Sequence, residues 1–178
     1  SMIVDSGGGT TEIAIISMGG TVTSRSLKIA GDKLNEDIVR FVRDEFRLLI
    51  GEPTAEELKI NIGSAIQLDE KLEMVIRGRD LTAGLPREVM VKDFQIRAAI
   101  IRSIKTIIEA AREVIETAPP ELTGDILRRG IFLCGGNGLL RGLDQLMAKD
   151  LLINTTLIDD PLTCVVRGTG VVMENFPQ

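Results

Sequence analysis

The run V-D-S-G-G-G-T-T-E, residues 4 to 12, joins an apolar stretch ending in a carboxylate to three consecutive glycines, two threonines and a glutamate. Glycine permits positive φ and lets a ligand come close to the main chain, and successive N–H groups in such a turn form a concavity that attracts anions. On those grounds Gly7, Gly8, Gly9 and Thr10 are candidates to face phosphates, with the Thr10 and Thr11 hydroxyls as further donors. Asp5, closing the apolar run, offers the hard carboxylate oxygen that suits Mg²⁺ held through its water shell. The same residues would equally make a plain hairpin turn, and the run alone does not choose between the two.

Two further glycine junctions stand at element boundaries, Gly31-Asp32 and Gly135-Gly136-Asn137-Gly138. The second follows an apolar run and precedes a helical pattern, so it reads as a strand-to-helix turn. Helix N-terminal N–H groups there, with no side chains in the way, would let a flat ligand or a phosphate lie on the backbone. The spacing is not G-x-G-x-x-G, and no acidic residue follows at the proper point of a βαβ unit, so a dinucleotide-binding unit is not indicated. A tight strand–helix connection is the alternative. Glu56 and Lys59 lie three residues apart on a predicted helix and share a face. They are candidates to clamp a purine and ribose across a cleft, or they form a solvated ion pair.

The elements that must position these residues follow from periodicity. Met2–Asp5, Glu12–Ser17 and Thr21–Ile29 read as three strands of a meander, with Gly19-Gly20 as the second turn. A helix opens at Gly31-Asp32 with Leu34, Ile38, Phe41, Val42 and Phe46 at helical spacing, and Gly51 is expected to end it. Thr54 with Glu57 three later has the form of a capping box and predicts a helix to about Ile62. Leu72–Gly78 and Arg87–Lys92 read as strands. A long helix is predicted from about Asp93 to Thr117, its apolar stripe running through Ile96, Ile100, Ile104, Ile107, Ala111 and Val114. A short helix Glu121–Arg129, a strand Gly130–Cys134, a helix from Leu139 to about Asp150, a strand Thr155–Ile158 and a helix within Leu162–Glu174 complete the chain. Residues 32–92 thus interrupt a core lobe made of 1–31 and 93–178, with a cleft expected between the lobes.

The 178 residues are 44% hydrophobic and 26% charged, with five Phe and no Trp or Tyr, so the core must be built of aliphatic side chains. A net charge of −5 argues against a broad nucleic-acid surface, which needs clustered Lys and Arg. The absence of histidine removes imidazole catalysis and His ligation, leaving carboxylates, Lys or metal-bound water. Cys134 and Cys164 lie in apolar stretches and are expected to be buried free thiols. No apolar run approaches the roughly 20 residues of a membrane span. No signal peptide is visible, and the chain is expected to be cytoplasmic. Its start, a few residues before the glycine loop, is expected to be that of an excised fragment.

Taken in order, these motifs resemble a known family. I-V-D-S-G-G-G-T-T-E-I-A-I-I-S looks like the second phosphate loop of the actin, heat-shock chaperone and sugar-kinase superfamily, and I-F-L-C-G-G-N-G-L-L-R-G-L-D, Ile131 to Asp144, is similar to its adenosine loop. R-S-L-K-I-A-G-D-K-L-N-E-D-I, I-G-E-P-T-A-E-E-L-K-I-N-I-G, D-L-T-A-G-L-P-R and D-P-L-T-C-V-V-R-G-T-G follow MreB and its Mbl-type relatives, the bacterial actins, over essentially the whole chain. The resemblance implies an α/β, actin-like ATPase domain: a ribonuclease H-like core with a β-meander and flanking helices, carrying an inserted smaller α+β subdomain. It implies the second half of such a protein only, with 1–31 and 93–178 as the larger subdomain and 32–92 as the smaller. It also implies ATP and Mg²⁺ as ligands. Asp5 would hold the Mg²⁺ hydration shell, and Gly7, Gly8, Gly9 and Thr10 would face the β- and γ-phosphates, Thr10 with a possible contact to the attacking water. Gly31 and Asp32 would lie near the ribose, Glu56 and Lys59 near the purine, and Gly135, Gly136 and Gly138 under the adenosine. Two residues depart from the pattern: the family has an aliphatic residue where Ser6 stands and a further glycine where Asn137 stands, a turn Asn tolerates through positive φ.

The function implied is that of a filament-forming, nucleotide-dependent protein that sets rod cell shape by organising wall synthesis. The filaments would lie at the inner face of the membrane with membrane-spanning shape proteins as partners. Membrane attachment would come only through the first half. A chaperone-type or kinase-type member of the superfamily is the alternative: a chaperone is expected to continue past the closing N-F-P-Q into a substrate-binding domain, and a sugar kinase to need a substrate-base aspartate and sugar pocket normally held in the missing half. The chain by itself is expected to bind ATP weakly and to turn none over.

Overall fold

The computed structural model describes residues 1–174, and the closing N-F-P-Q lies outside the described residues. Strand β1 (Met2–Ser6) buries Met2, Val4 and Ser6 and sits at the centre of a five-stranded sheet. It pairs antiparallel with β2 (Thr11–Ser17), which in turn pairs with β3 (Gly20–Leu27), the three-strand meander expected from the alternation. The tight turn between β2 and β3 has positive φ at Met18 (50°) and Gly19 (79°), so Gly20 already belongs to β3. On its other side β1 pairs parallel with β7 (Ile131–Cys134), and β7 with β8 (Thr155–Leu157), giving the order β3-β2-β1-β7-β8. Parallel neighbours need long crossovers. Residues 7–130 supply the one from β1 to β7, so the two glycine junctions that end these strands come out side by side, Asp5 in register with Cys134.

Helix α1 (Gly31–Phe46) buries Leu34, Ile38 and Val42 and stops with Arg47 in the left-handed region (φ 52°). It therefore ends before Gly51, and Leu48-Leu49 pair as β4, too short a strand for any periodicity to show. Helix α2 (Glu52–Ile62) takes Gly51, not Thr54, as its N-cap: Ala55 N–H donates to the Gly51 carbonyl at 3.2 Å, and Pro53 sits in the first turn, where its missing N–H costs nothing. Thr54 thus lies inside the helix. Strands β5 (Glu73–Asp80) and β6 (Pro86–Lys92) complete a second sheet of order β4-β5-β6.

Helix α3 (Asp93–Glu116) follows the predicted span and buries Ile96, Ile100, Ile104, Ile107, Ala111 and Val114. Helix α4 (Pro120–Arg129) begins on the second of two prolines. After β7 the chain does not enter a helix at Leu139. A 3₁₀ turn, Gly136–Leu139, intervenes, and helix α5 (Leu143–Leu151) starts only after Gly142. Gly142 has φ +71°, and a Cβ there would lie 2.3 Å from Ile66 Cγ1, so this helix start packs on backbone that only glycine can bring close. Helix α6 (Cys164–Glu174) closes the described chain and has no buried residue. One aliphatic core cluster runs from Met2, Val4, Ile13 and Ile15 of the larger sheet through α1 and α3 to Ile76 and Val91 of the smaller. Among the described residues no helix is long and apolar enough to cross a membrane.

Candidate functional site: a cleft between two glycine loops

The glycine loop after β1 is closed by Gly7 N–H donating to the Thr10 carbonyl at 3.0 Å. Its own carbonyls cap α1, which has no side-chain cap: Gly31 N–H donates to Gly7 O at 3.1 Å and Asp32 N–H to Gly8 O at 2.9 Å. In a trans peptide the C=O and the following N–H point in opposite directions. Holding the Gly7 and Gly8 carbonyls against α1 therefore turns the N–H groups of Gly8 and Gly9 away from it. Among the described residues neither N–H has a hydrogen-bond partner, and both glycines are exposed. Two adjacent free donors of this kind are what an anion needs.

A buried polar chain lies behind the loop. Asn137 Nδ2 donates to Gly7 O (2.9 Å) and to Ser6 Oγ (3.1 Å), Ser6 Oγ and Thr11 Oγ1 are 2.8 Å apart, and Thr11 Oγ1 donates to Ile29 O at 2.8 Å. A carbonyl only accepts, so Ile29 takes the Thr11 proton, the Ser6 hydroxyl must donate to Thr11, and the Asn137 amide must present nitrogen, not oxygen, to Ser6 and Gly7. Every proton in the chain has one possible place. Asn137 does not take up positive φ; the left-handed residue of its loop is Gly135, at φ +81°.

Between the loops and α2 is a cavity of about 390 Å³. Of the residues expected from the sequence it gathers Gly7, Gly8, Gly31, Asp32, Glu56, Lys59 and Gly136. Asn137, Arg141 and the side chains of Ile60, Leu139 and Leu162 also line it, the last three largely exposed and forming an apolar ledge. Its size and its mix of apolar wall with a few polar groups fit a small organic ligand. The carboxylate of Asp32 lies over the glycine loop, its Oδ1 3.5 Å from where a Cβ on Gly8 would stand.

Lys59, 8% exposed, donates to Glu56 Oε2 at 2.9 Å and to the Gly31 carbonyl at 3.3 Å, and Asn35 Nδ2 donates to the same carboxylate oxygen at 2.5 Å. The pair is thus part of the cleft wall and not a solvated surface pair. Burial works to raise the Glu56 pKa, but the hydrogen bonds from Lys59 and Asn35 and the Lys59 charge outweigh it, and the carboxyl sits below its ordinary 4.5. Asn35 carries the one sealed side-chain polar atom without a partner among the described residues, its Oδ1. Arg141 reaches across to the Ile60 carbonyl at 2.8 Å, tying the α5 approach to the end of α2.

The other expected residues stand outside the cavity lining. Thr10 is exposed on the turn. Gly135 is a packing glycine: a Cβ there would lie 2.3 Å from Ser6 O and 2.6 Å from Asp5 Oδ1. Gly138 backs onto Leu157 at 2.9 Å in the same sense. Asp5 is half-buried beside Gly135 and Cys134. Cys134 is buried, and its thiol is pushed up to about 12 by burial, by the Asp5 charge and by the neighbouring Cys164 thiol. Cys164 is only half-buried, because α6 lies on the surface. Ser6, Asn35, Asn137 and Arg141 were not expected as site residues, and Thr11, expected to add a hydroxyl donor for phosphate, instead is buried and spends its proton on the Ile29 carbonyl. Polarity at the even-numbered, inward positions of β1 was the available signal for Ser6.

Comparison with known proteins matches this geometry to named relatives. The family description "MreB/Mbl protein" matches residues 1–178. The chain is 46% identical over 176 residues to the cell shape-determining protein Mbl of Bacillus subtilis (strain 168), covering 99% of this chain and 53% of that protein. It is 45% identical over 174 residues to the cell shape-determining protein MreB of Escherichia coli (strain K12), covering 98% of this chain and 50% of that protein. The chain spans about half the length of the curated relatives it matches. Among solved structures, MreB5 of Spiroplasma citri bound to ADP superposes with a TM-score of 0.94 at 39% identity, over 98% of this chain and 55% of that one. The MamK double helical filament superposes at 0.84 with 25% identity, over 99% and 55%. With a family match along its whole length, the chain belongs to the MreB/Mbl protein family.

Proposed function

We propose that this chain forms one wall of an ATP cleft in a filament-forming bacterial actin that determines rod cell shape by organising wall synthesis. The observation that carries the reading is the pair of unbonded N–H groups on Gly8, which lines the cavity together with Gly31, Asp32, Glu56 and Lys59, and on the adjacent exposed Gly9. The ADP-bound and filamentous relatives support it. Residues 1–31 and 93–178 form the larger subdomain and 32–92 the smaller, with the cleft between them.

In this reading Gly7 to Thr10 receive the β- and γ-phosphates, Gly31 and Asp32 the ribose, Glu56 and Lys59 the purine, and Gly135, Gly136 and Gly138 support the adenosine. Mg²⁺, which would neutralise phosphate charge, would be held through its water shell by Asp5, whose hard carboxylate oxygens suit that ion and stay half-exposed beside Gly135. Among the described residues no cluster of three acidic, Cys or His side chains offers direct ligation. This chain's own residues bind and orient. The Gly8 and Gly9 donors stabilise phosphate charge, Lys59 fixes Glu56 and the first turn of α1, and the Ile60–Leu139–Leu162 ledge keeps water from the base. The acid that would position an attacking water lies in a first half outside this chain, as does any membrane attachment. Filaments at the inner face of the membrane and membrane-spanning shape proteins as partners complete the proposal.

Sedimentation tests it. The full-length protein is expected to pellet with ATP and Mg²⁺, and no filaments with any nucleotide would overturn the reading. The 178-residue chain by itself is expected to bind ATP weakly without turnover; sub-micromolar affinity by calorimetry would contradict that.

A further inference from the structure

The Gly7 carbonyl is gripped by two donors from opposite ends of the chain, Gly31 N–H at 3.1 Å and Asn137 Nδ2 at 2.9 Å. Main-chain capping alone needs only the first. The second comes from a side chain that is 5% exposed and whose other amide proton is spent on Ser6, itself 1% exposed and anchored through Thr11 to the Ile29 carbonyl just before α1. Burying three polar side chains is costly unless each is bonded, and here each is. The geometry points to Asn137 as a positioning residue for the phosphate subsite, aiming the Gly8 N–H through the Gly7 carbonyl, with Ser6 and Thr11 as its anchor. This assignment rests on the nucleotide reading above and adds to it the residues that set phosphate affinity from behind the loop.

The consequence is directional. The Gly7–Gly8 peptide can rotate only if its carbonyl leaves both donors. With Asn137 removed, Gly31 N–H alone holds it, and the Gly8 N–H loses its fixed aim. Both amide protons of Asn137 face inward, so the group it turns to Gly31 is its Oδ1, 3.3 Å from where a Cβ on Gly31 would stand. That oxygen has no partner among the described residues and is not sealed from the cleft. An acceptor repels phosphate oxygens, so Asn137 does not bind phosphate itself and acts through Gly7.

The test uses the 178-residue chain, its Gly8 and Gly9 amide resonances, and two probes, Mg-ADP and adenosine. The variants are S6A and T11V, which touch no ligand, with N137A and the S6A/N137A pair. The Gly8 resonance is expected to move in the free chain in each variant. Mg-ADP affinity should fall about three- to tenfold, the effect of losing one such hydrogen bond, while adenosine affinity holds. S6A/N137A should bind no worse than N137A, because Ser6 acts through Asn137. Equal losses for adenosine and Mg-ADP, or additive losses in the pair, would show a merely structural role and overturn the assignment. A wild-type chain whose loop resonances ignore Mg-ADP would overturn the nucleotide reading itself, and the phosphate role with it. Variants that bind Mg-ADP as wild type does would overturn the positioning role alone.

Discussion

The Lys59 ammonium lies 3.3 Å from the carbonyl of Gly31, whose N–H in turn donates to Gly7 in the glycine loop. A charge on α2 thus reaches the glycine loop through a single residue of α1.

Replacing Lys59 by Met keeps its stem and removes the charge. Lys59 is nearly buried, with a side chain 9% exposed, but Glu56 is 44% exposed and can recover water. The loss therefore falls between that of a buried pair and a surface pair, about 1–2 kcal/mol in urea unfolding. A loss under about 0.3 kcal/mol would show that the contact contributes nothing.

Glu56 predicts an acid signature. Its folded pKa lies below the ordinary 4.5, so its contribution is complete above that value and is lost as pH falls through the folded pKa. The stability gap between wild type and E56Q should narrow on going from about pH 6 to about pH 3. A gap that holds constant with pH would refute the assignment of the effect to the carboxylate charge.

The two adjacent glycines 135 and 136 should respond differently to alanine. At Gly135 φ is +81° and the Cβ would overlap Ser6 O at 2.3 Å, whereas at Gly136 the nearest atom is Leu162 Cδ2 at 3.5 Å. G135A is expected to cost at least about 3 kcal/mol or to prevent folding. G136A should stay within about 0.5 kcal/mol of wild type in thermal melts and show its effect, if any, in nucleotide affinity.

Cys134 should be chemically silent. With its pKa pushed up to about 12, about one thiol in ten thousand is ionised at pH 8. Mass spectrometry after brief iodoacetamide treatment at that pH should find Cys164 alkylated and Cys134 intact, and both modified in denaturant. Prompt native labelling of Cys134 would contradict its burial.

Much of the fold was legible because its signals are local. The meander, α3 and the order of strands and helices follow from alternation and from Ile and Leu at helical spacing. Errors fell where a local rule met a competing one. Thr54 has the right neighbours for a cap, but Pro53 had already started the helix. Leu48-Leu49 became a strand only because Asp80 and Arg79 lie beside them. Leu139 entered a 3₁₀ turn because Gly142, three residues on, supplies the left-handed start of α5. In the cleft, glycine junctions and the Glu56–Lys59 spacing were readable, while Asn35 and Arg141 were not, since their partners lie 21 and 81 residues away in sequence. Ser6 and Asn137 registered singly, as two departures from a pattern. That one is the hydrogen-bond partner of the other, 131 residues apart, is knowledge only the folded chain holds.

Helix α6 spans 11 residues, none of them buried, while Val165, Val166, Val172 and Met173 face outward. Eleven residues are too few for a helix to persist in water on its own propensity. Its amide protons should therefore trade with deuterium well before those of α1 or α3, in a subglobal opening that leaves the two sheets closed. The chain then has two tiers of protection. A slow one is built on Ile and Leu, and a fast one, beginning near Cys164, sets how long the wall next to Leu162 keeps its shape.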